Sequence, residues 1–285
     1  MPARTSKIPR LIAVDLDGTL LDPRGEPHAV DLRALRAAQA EGVTVTIVTG
    51  RLYSGTRLSA ERIGLRGPVG CADGSHVVSA ADHATLLHHG LRGDHALSVR
   101  DILLRHGAAG FLFAGDAIVH DDGGEPFLPY VRNWSNDLRR ADKLGEHALW
   151  RSEDGITAVV AVGTEEQIAL TYDGVQTKLG EAAQVVRFPI RRVPGIWGLV
   201  ARAAGGTKGS ALTWIADHHG MHIGETVCVG DWYNDTPMLA VAGRAFAMGH
   251  APDDVKQIAT DVLDETNENG GGIARVIHEV FGIRG

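Results

Sequence analysis

The sequence predicts an α/β protein in which a parallel sheet, covered by helices on both faces, is interrupted by an inserted α+β module. Three observations predict it. Short, continuously apolar runs alternate with helix-period segments early in the chain and again late in it, as expected of strands buried on both faces. Between about residues 82 and 196 strands instead follow one another directly, which suits an antiparallel sheet. Four of the early and late elements begin or end in short polar motifs, where open α/β sheets place their sites.

The elements follow in order. "RLIAVDL" reads as a strand buried on both faces. "AVDLRALRAAQAEG" places Val30, Leu32 and Leu35 near helical spacing and closes on Gly42, a good helix stop. "VTVTIVTG" is a second strand, "YSGTRLSAERIG" a second helix and "PVGCA" a third strand. In the insertion, helical "DHALSVRDILLRHG" precedes the strands "GFLFA" and "AIVHD", joined at Gly115-Asp116 by a hairpin-type connection. After an irregular stretch come the strand "ITAVVAVG", a long helical region from Thr164, and the strands "AQVVRFPI" and "GIWGLVAR". The alternation then returns with helical "TKGSALTWIADHHG", the strand "TVCVG", helical "DTPMLAVAG" and the strand "AFAMG". "PDDVKQIA", "DVLD" and the terminal helix "GIARVIHEVFG" complete the chain. The expected division is therefore a core of residues 1–81 and 197–285 with residues 82–196 inserted.

Composition narrows the function. A net charge of −7 argues against binding nucleic acid through a basic surface, although it leaves room for a local basic pocket. "MPARTSKIPR" has no apolar run behind it long enough for a signal peptide, and no apolar run could span a membrane. Two cysteines, Cys71 and Cys228, rule out a disulfide framework and fit a reduced, cytoplasmic protein; Cys228 in "TVCVG" reads as a buried structural thiol.

The four motifs carry the chemistry. In "DLDGT" an apolar strand runs straight into Asp15 and Asp17, and Gly18 lets the chain turn sharply. An Asp-Gly turn with solvated carboxylates is the plainer reading, weakened by the strand and by Thr19. In "VTGR" the Thr49 hydroxyl and the backbone opened by Gly50 suit a phosphate oxygen, though Thr-Gly at a strand end is commonly only a turn. "GGTKGSAL" sets Lys208 at a helix start, where the dipole opposes it, so the ammonium is either solvated or neutralised by nearby anions. In "VGDWYNDTPML" Asp231 follows a strand, with Asn234 and Asp235 on the first helical turn; for Asp235 alone a helix cap is the default. If Asp15, Asp17, Asp231 and a phosphate converge, each close like-charge pair costs about 4 kcal/mol at about 4 Å in an effective dielectric of about 20. Such a cluster needs a cation. Lys208 with a divalent ion in oxygen ligands meets the need, and an all-oxygen set favours Mg²⁺.

The ordered set "DLDGT", "VTGR", "TKGSAL" and "GDWYNDTPML" resembles the haloacid dehalogenase (HAD) superfamily of phosphohydrolases. The insertion between the second and third motifs and the tail from "AMGHAPDDVKQIATDVLDE" resemble its Cof-like branch of sugar-phosphate phosphatases. The resemblance covers nearly the whole chain. It implies a Rossmann-like, HAD-like core with the insertion as a substrate-selecting cap. It also implies Asp15 as nucleophile, Asp17 as general acid/base, and phosphate contacts from Thr49, Gly50, Lys208 and Asn234. Mg²⁺ would be held by the Asp15 carboxylate, the Asp17 backbone carbonyl and Asp231, supported by Asn234 and Asp235. The implied activity is a Mg²⁺-dependent phosphomonoester hydrolase for a small phosphorylated metabolite. A phosphotransferase or phosphomutase on the same scaffold, and a non-catalytic ligand sensor, are the alternatives. Oligomeric state is left open.

The chain departs from that pattern twice. "ADGSH" sets Asp73 where the branch usually has Asn-Gly, and Leu199 stands where relatives often place an acidic residue. Three further features read as structural. "HHGMH" at 218–222 lacks metal-ligand spacing and follows a helix end that favours histidine. The arginine pairs at 139–140 and 191–192 read as exposed, and Trp134, Trp150 and Trp197 as packing residues of the insertion rather than a sugar-stacking platform.

Overall fold

The computed structural model describes residues 8–190 and 193–284; the arginine pair at 191–192 lies outside the described residues. The chain divides into two compact units. The described residues of Met1–Gly50, Thr56–Leu86 and Thr207–Gly285 form one, and Arg51–Gly55 with Leu87–Gly206 the other.

In the first unit Leu11–Val14 lies inside a five-stranded parallel sheet with the order Asp261–Val262, Arg244–Ala247, Thr226–Gly230, Leu11–Val14, Thr44–Ile47. All four residues of Leu11–Val14 are fully buried, which explains a continuous rather than alternating apolar run. The chain leaves Leu11–Val14 toward Thr44–Ile47 on one side and returns on the other as Thr226–Gly230. The carboxyl ends of Leu11–Val14 and Thr226–Gly230 therefore flank a topological switch point, the place where such sheets bind ligands. Pro68–Cys71 pairs antiparallel with His76–Ser79 in a separate three-stranded sheet that also holds Thr85–His88. The last two of these strands were not expected from the sequence.

The helix Ala29–Ala40 forms as expected, but on a different stripe. It buries Asp31, Ala34, Leu35 and Ala38, while Val30 is exposed. A buried aspartate here has a cause: its carboxylate accepts from the backbone N–H groups of Gly271 and Ala274, at 2.9 Å each. Those groups open the terminal helix Gly272–Phe281, so Asp31 caps it from a distant part of the chain. Replacing it orphans two donors. Asp31→Ala is expected to cost about 1–2 kcal/mol by chemical denaturation.

The second unit is built on a six-stranded sheet with the order Ala183–Pro189, Ile196–Ala203, Ala158–Thr164, Ala109–Ala114, Ala117–His120, Asp137–Arg140. Its pairs are antiparallel except the last, Ala117–His120 with Asp137–Arg140, which is parallel. The hairpin at Gly115-Asp116 forms as the sequence predicts. Ile196–Ala203, read from the sequence as a strand of the insertion although the boundary drawn at residue 197 cuts through it, lies wholly in this sheet, and the second unit runs on to Gly206. It is hydrogen-bonded on both sides, to Ala183–Pro189 and Ala158–Thr164. The helices Gly93–His106 and Glu165–Leu179 supply Val99, Ile102, Leu103, Ile168 and Val175 to a core shared with Leu112, Val159 and Ala161. Leu199 is buried in that core, so an apolar residue there serves packing. Trp150 is buried too, its indole N–H satisfied by the Leu144 carbonyl at 2.7 Å. Trp134 stands edge-on to Phe113, and Trp197 packs against the core while Arg187 lies over its ring. Arg139 and Arg140 are exposed and paired with Asp137 and Asp122. Among the described residues no helix is long and apolar enough to cross a membrane.

Candidate active site

Every residue of the candidate site belongs to the first unit, and most follow a strand of its parallel sheet. Asp15 comes directly after Val14, and its N–H donates to the Val229 carbonyl at 3.1 Å, extending the ladder one residue into the crevice. Asp231 comes directly after Gly230, the last residue of the neighbouring strand. Both are buried, as is Asp235. The carboxylates of Asp15, Asp231 and Asp235 present oxygen atoms within 4.8 Å of one another.

Lys208 resolves the choice between solvation and neutralisation. It is 1% exposed, and its ammonium donates to Asp15 Oδ1 and Asp235 Oδ1 at 2.6 Å each. Its place at the first position of Lys208–His218 is fixed by Thr207. That residue caps the helix by accepting from the Ser210 N–H while the Ser210 hydroxyl accepts from the Thr207 N–H.

Asp235, expected by default to cap a helix, makes no such bond to Thr236–Val241. Its second oxygen accepts from the N–H groups of Asp231 and Trp232, at 2.8 and 2.9 Å. It thus braces the Asp231 turn and presents its other oxygen to Lys208. Gly230 permits this closeness, since a Cβ there would lie 2.6 Å from the Asp235 carboxyl carbon. Gly18 is required for a similar reason. Its φ is +87°, and a Cβ would stand 2.3 Å from Asp231 Oδ2.

Asp17 stands apart from the buried trio, with its side chain exposed. The carboxylate that joins those of Asp15 and Asp231 is that of Asp235, not that of Asp17. At a metal the resemblance implies a contact from the Asp17 backbone carbonyl, not from its carboxylate. Thr49 is buried just past Thr44–Ile47, held by its N–H to the Gly70 carbonyl at 2.9 Å. Its own carbonyl accepts from the Asp73 N–H, also at 2.9 Å. Asn234 donates from Nδ2 to Asp73 Oδ1 at 2.8 Å, and a Cβ on Gly50 would lie 3.1 Å from the same Asp73 oxygen. Thr49, Gly50 and Asn234 are therefore neighbours through Asp73.

Two further contacts escape the motif reading. The Thr19 hydroxyl donates to Asp231 Oδ1 at 2.8 Å, and His250 Nε2 lies 3.4 Å from Asp231 Oδ2. Thr19 closes the "DLDGT" motif but was given no partner there. His250 had only the signal of standing just beyond Arg244–Ala247, at the same sheet edge. The histidines at 218–222 do other work: His218 stacks on Trp214, and His222 Nδ1 accepts from the Gly224 N–H.

Electrostatics sharpens the arrangement. Burial pushes the Asp15 carboxyl well above its ordinary range; Lys208 pulls it back, and Asp235 and Asp231 raise it further. Burial likewise raises Asp235, against the pull of Lys208. At Lys208 burial works against the charged form, but Asp15 and Asp235, with Asp73 beyond them, outweigh it and hold the ammonium above its usual range. Three buried carboxylates around one ammonium leave the cluster short of positive charge. The donor set is entirely oxygen, which suits a hard divalent cation such as Mg²⁺.

Comparison with known proteins finds relatives over nearly the whole chain. A 29% identical relative is the pyridoxal phosphate phosphatase YbhA of Escherichia coli K12, aligned over 268 residues that cover 91% of this chain and 95% of that protein. The Bacillus subtilis 5-amino-6-(5-phospho-D-ribitylamino)uracil phosphatase YitU is 28% identical over 284 residues, 96% of this chain and 98% of its own. In fold, a haloacid dehalogenase-like hydrolase from Bacteroides thetaiotaomicron superposes with a TM-score of 0.82 at 21% identity, covering 96% of this chain and all of the other. The sequence profile of the haloacid dehalogenase-like hydrolases matches residues 12–277, from within the first strand into the last helix, and the chain belongs to that family.

Proposed function

We propose that this haloacid dehalogenase-like phosphatase is a Mg²⁺-dependent phosphomonoester hydrolase that works through an aspartyl-phosphate on a small phosphorylated metabolite, foremost a sugar phosphate. The observation that carries the reading is Asp15: a buried carboxylate at a strand end, held by one ammonium and crowded by two further carboxylates. Mg²⁺ would be held by Asp15, Asp231 and the Asp17 backbone carbonyl, with Asp235 behind them. When bound, it supplies positive charge against the oxygens of the transferring phosphoryl group.

The chain's own residues account for the remaining chemistry. The Asp15 carboxylate attacks phosphorus in line with the ester oxygen, and the acyl phosphate forms as that bond breaks. Asp17, exposed beyond the buried trio, protonates the departing alcohol. It then takes a proton from the water that hydrolyses the acyl phosphate, which restores Asp15. Lys208 and the Thr49 hydroxyl stabilise charge on the phosphoryl oxygens, with Gly50 and Asn234 beside them. The second unit we assign to substrate selection.

A phosphate-release screen over sugar phosphates, phosphoglycolate, nucleotides and pyridoxal phosphate tests this reading. Turnover of at least one ester class with Mg²⁺, abolished by EDTA and restored by added Mg²⁺, is expected. No turnover across the panel, or turnover indifferent to EDTA, overturns it.

A further inference from the structure

Asp73 is the acidic residue at the site that the mechanism leaves without a task. Its backbone is left-handed, with φ 52° and ψ 32°, a conformation that aspartate and asparagine tolerate better than other side chains. Its N–H is tied to the Thr49 carbonyl. The next residue, Gly74, packs so closely on Thr207 that a Cβ would lie 2.0 Å from the Thr207 carbonyl oxygen. The Asp73-Gly74 turn thus meets the Thr49-Gly50 segment, the Asn234 turn and the cap of the Lys208 helix. A residue kept only for turn geometry need not be charged, because asparagine suits the same backbone.

The carboxylate differs from an amide in two ways that matter here. It is acceptor-only, so Asn234 must turn its amino group toward it; an amide at position 73 can pair with Asn234 in either flip. It also brings negative charge to the Gly50 backbone, beside the groups assigned to phosphate. We propose that Asp73 is a positioning residue for the phosphate site, orienting the Asn234 amide while its charge keeps phosphate loosely held so that product leaves. This rests on the proposed role of Thr49, Gly50 and Asn234 in binding phosphate.

Asp73→Asn isolates the charge, since it keeps an acceptor for Asn234 and tolerates the left-handed backbone. Inorganic phosphate would be titrated calorimetrically into the Mg²⁺-saturated protein, with KM and kcat measured on a substrate from the screen. The variant is expected to bind phosphate about three- to tenfold more tightly, the range for a partly solvated charge. KM should fall by a similar factor, and kcat should stay level or drop as release slows. The gap in phosphate affinity should narrow from low to high salt, which a merely structural change would not produce. Equal or weaker phosphate binding by Asp73→Asn overturns the inference. Thr49→Val separates this from failure of the underlying reading: if it leaves phosphate affinity unchanged, the phosphate site itself is misassigned and the inference falls with it.

Discussion

Asp15→Asn will give a folded protein that releases phosphate at least about 10⁴-fold more slowly than the wild type, because the attacking oxygen is gone while its surroundings remain. The fold is expected to survive for a specific reason. Lys208 donates to Asp15 Oδ1, and the amide oxygen of asparagine can accept the same bond. Stability should in fact rise in metal-free buffer. Burial holds the Asp15 carboxyl well above its ordinary value of 3.8, so the native state binds that proton more tightly than the unfolded chain. The stabilisation this brings is complete below the unfolded value and is lost as pH climbs through the raised native one. Asparagine cannot titrate and escapes the loss. The melting temperature of the variant minus that of the wild type should therefore grow, in EDTA, as the pH rises above about 4. Added Mg²⁺ should shrink the difference by stabilising the wild type more. Thermal unfolding with and without EDTA, beside single-turnover assays, checks both halves. Near wild-type turnover from Asp15→Asn removes Asp15 as the nucleophile; a variant less stable than wild type in EDTA removes the crowding argument.

How much of this was legible in the sequence depends on whether the cause was local. Leu11–Val14 and Thr226–Gly230 were legible because a strand buried on both faces must be continuously apolar, and the aspartates beyond them then fall at a predictable sheet edge. Asp137–Arg140 was not. "DLRR" carries no apolar alternation, and the strand exists through its backbone pairing with Ala117–His120. The helix Ala29–Ala40 was placed correctly but its stripe was misread, because the partner that makes a buried Asp31 favourable lies about 240 residues away, at Gly271 and Ala274. The same distinction runs through the site. Asp15 and Lys208 stood in motifs whose local oddity, a carboxylate pair and a lysine opposing a helix dipole, called for an explanation. Asp235 looked like an ordinary cap until the fold brought Lys208 to it, 27 positions away in sequence. His250 had no local oddity at all.

Lys208→Met should have the opposite effect on stability to Asp15→Asn, and the contrast tests the charge balance of the cluster directly. Lys208 is 1% exposed and is the ammonium shared by Asp15 and Asp235. Replacing it with an apolar side chain of similar length leaves two buried carboxylates facing each other, with Asp231 nearby. Removing one partner of a buried ion pair costs about 3–5 kcal/mol. That is a large fraction of the total stability of a domain, so the loss should be plain in metal-free thermal or chemical unfolding. Mg²⁺ should restore part of it, about 2.7 kcal/mol at a concentration one hundred times its dissociation constant. Turnover should stay low even then, since Lys208 is also assigned to the phosphoryl oxygens. Lys208→Arg keeps the charge but not the compact ammonium, and should fall between the two in stability. The double variant Asp15→Asn, Lys208→Met is the sharpest case. With one carboxylate neutralised there is less repulsion left to expose, so it should be more stable than Lys208→Met alone, with a coupling of about 0.5–3 kcal/mol. A Lys208→Met protein as stable as wild type in EDTA would mean that the trio is not held together by that ammonium.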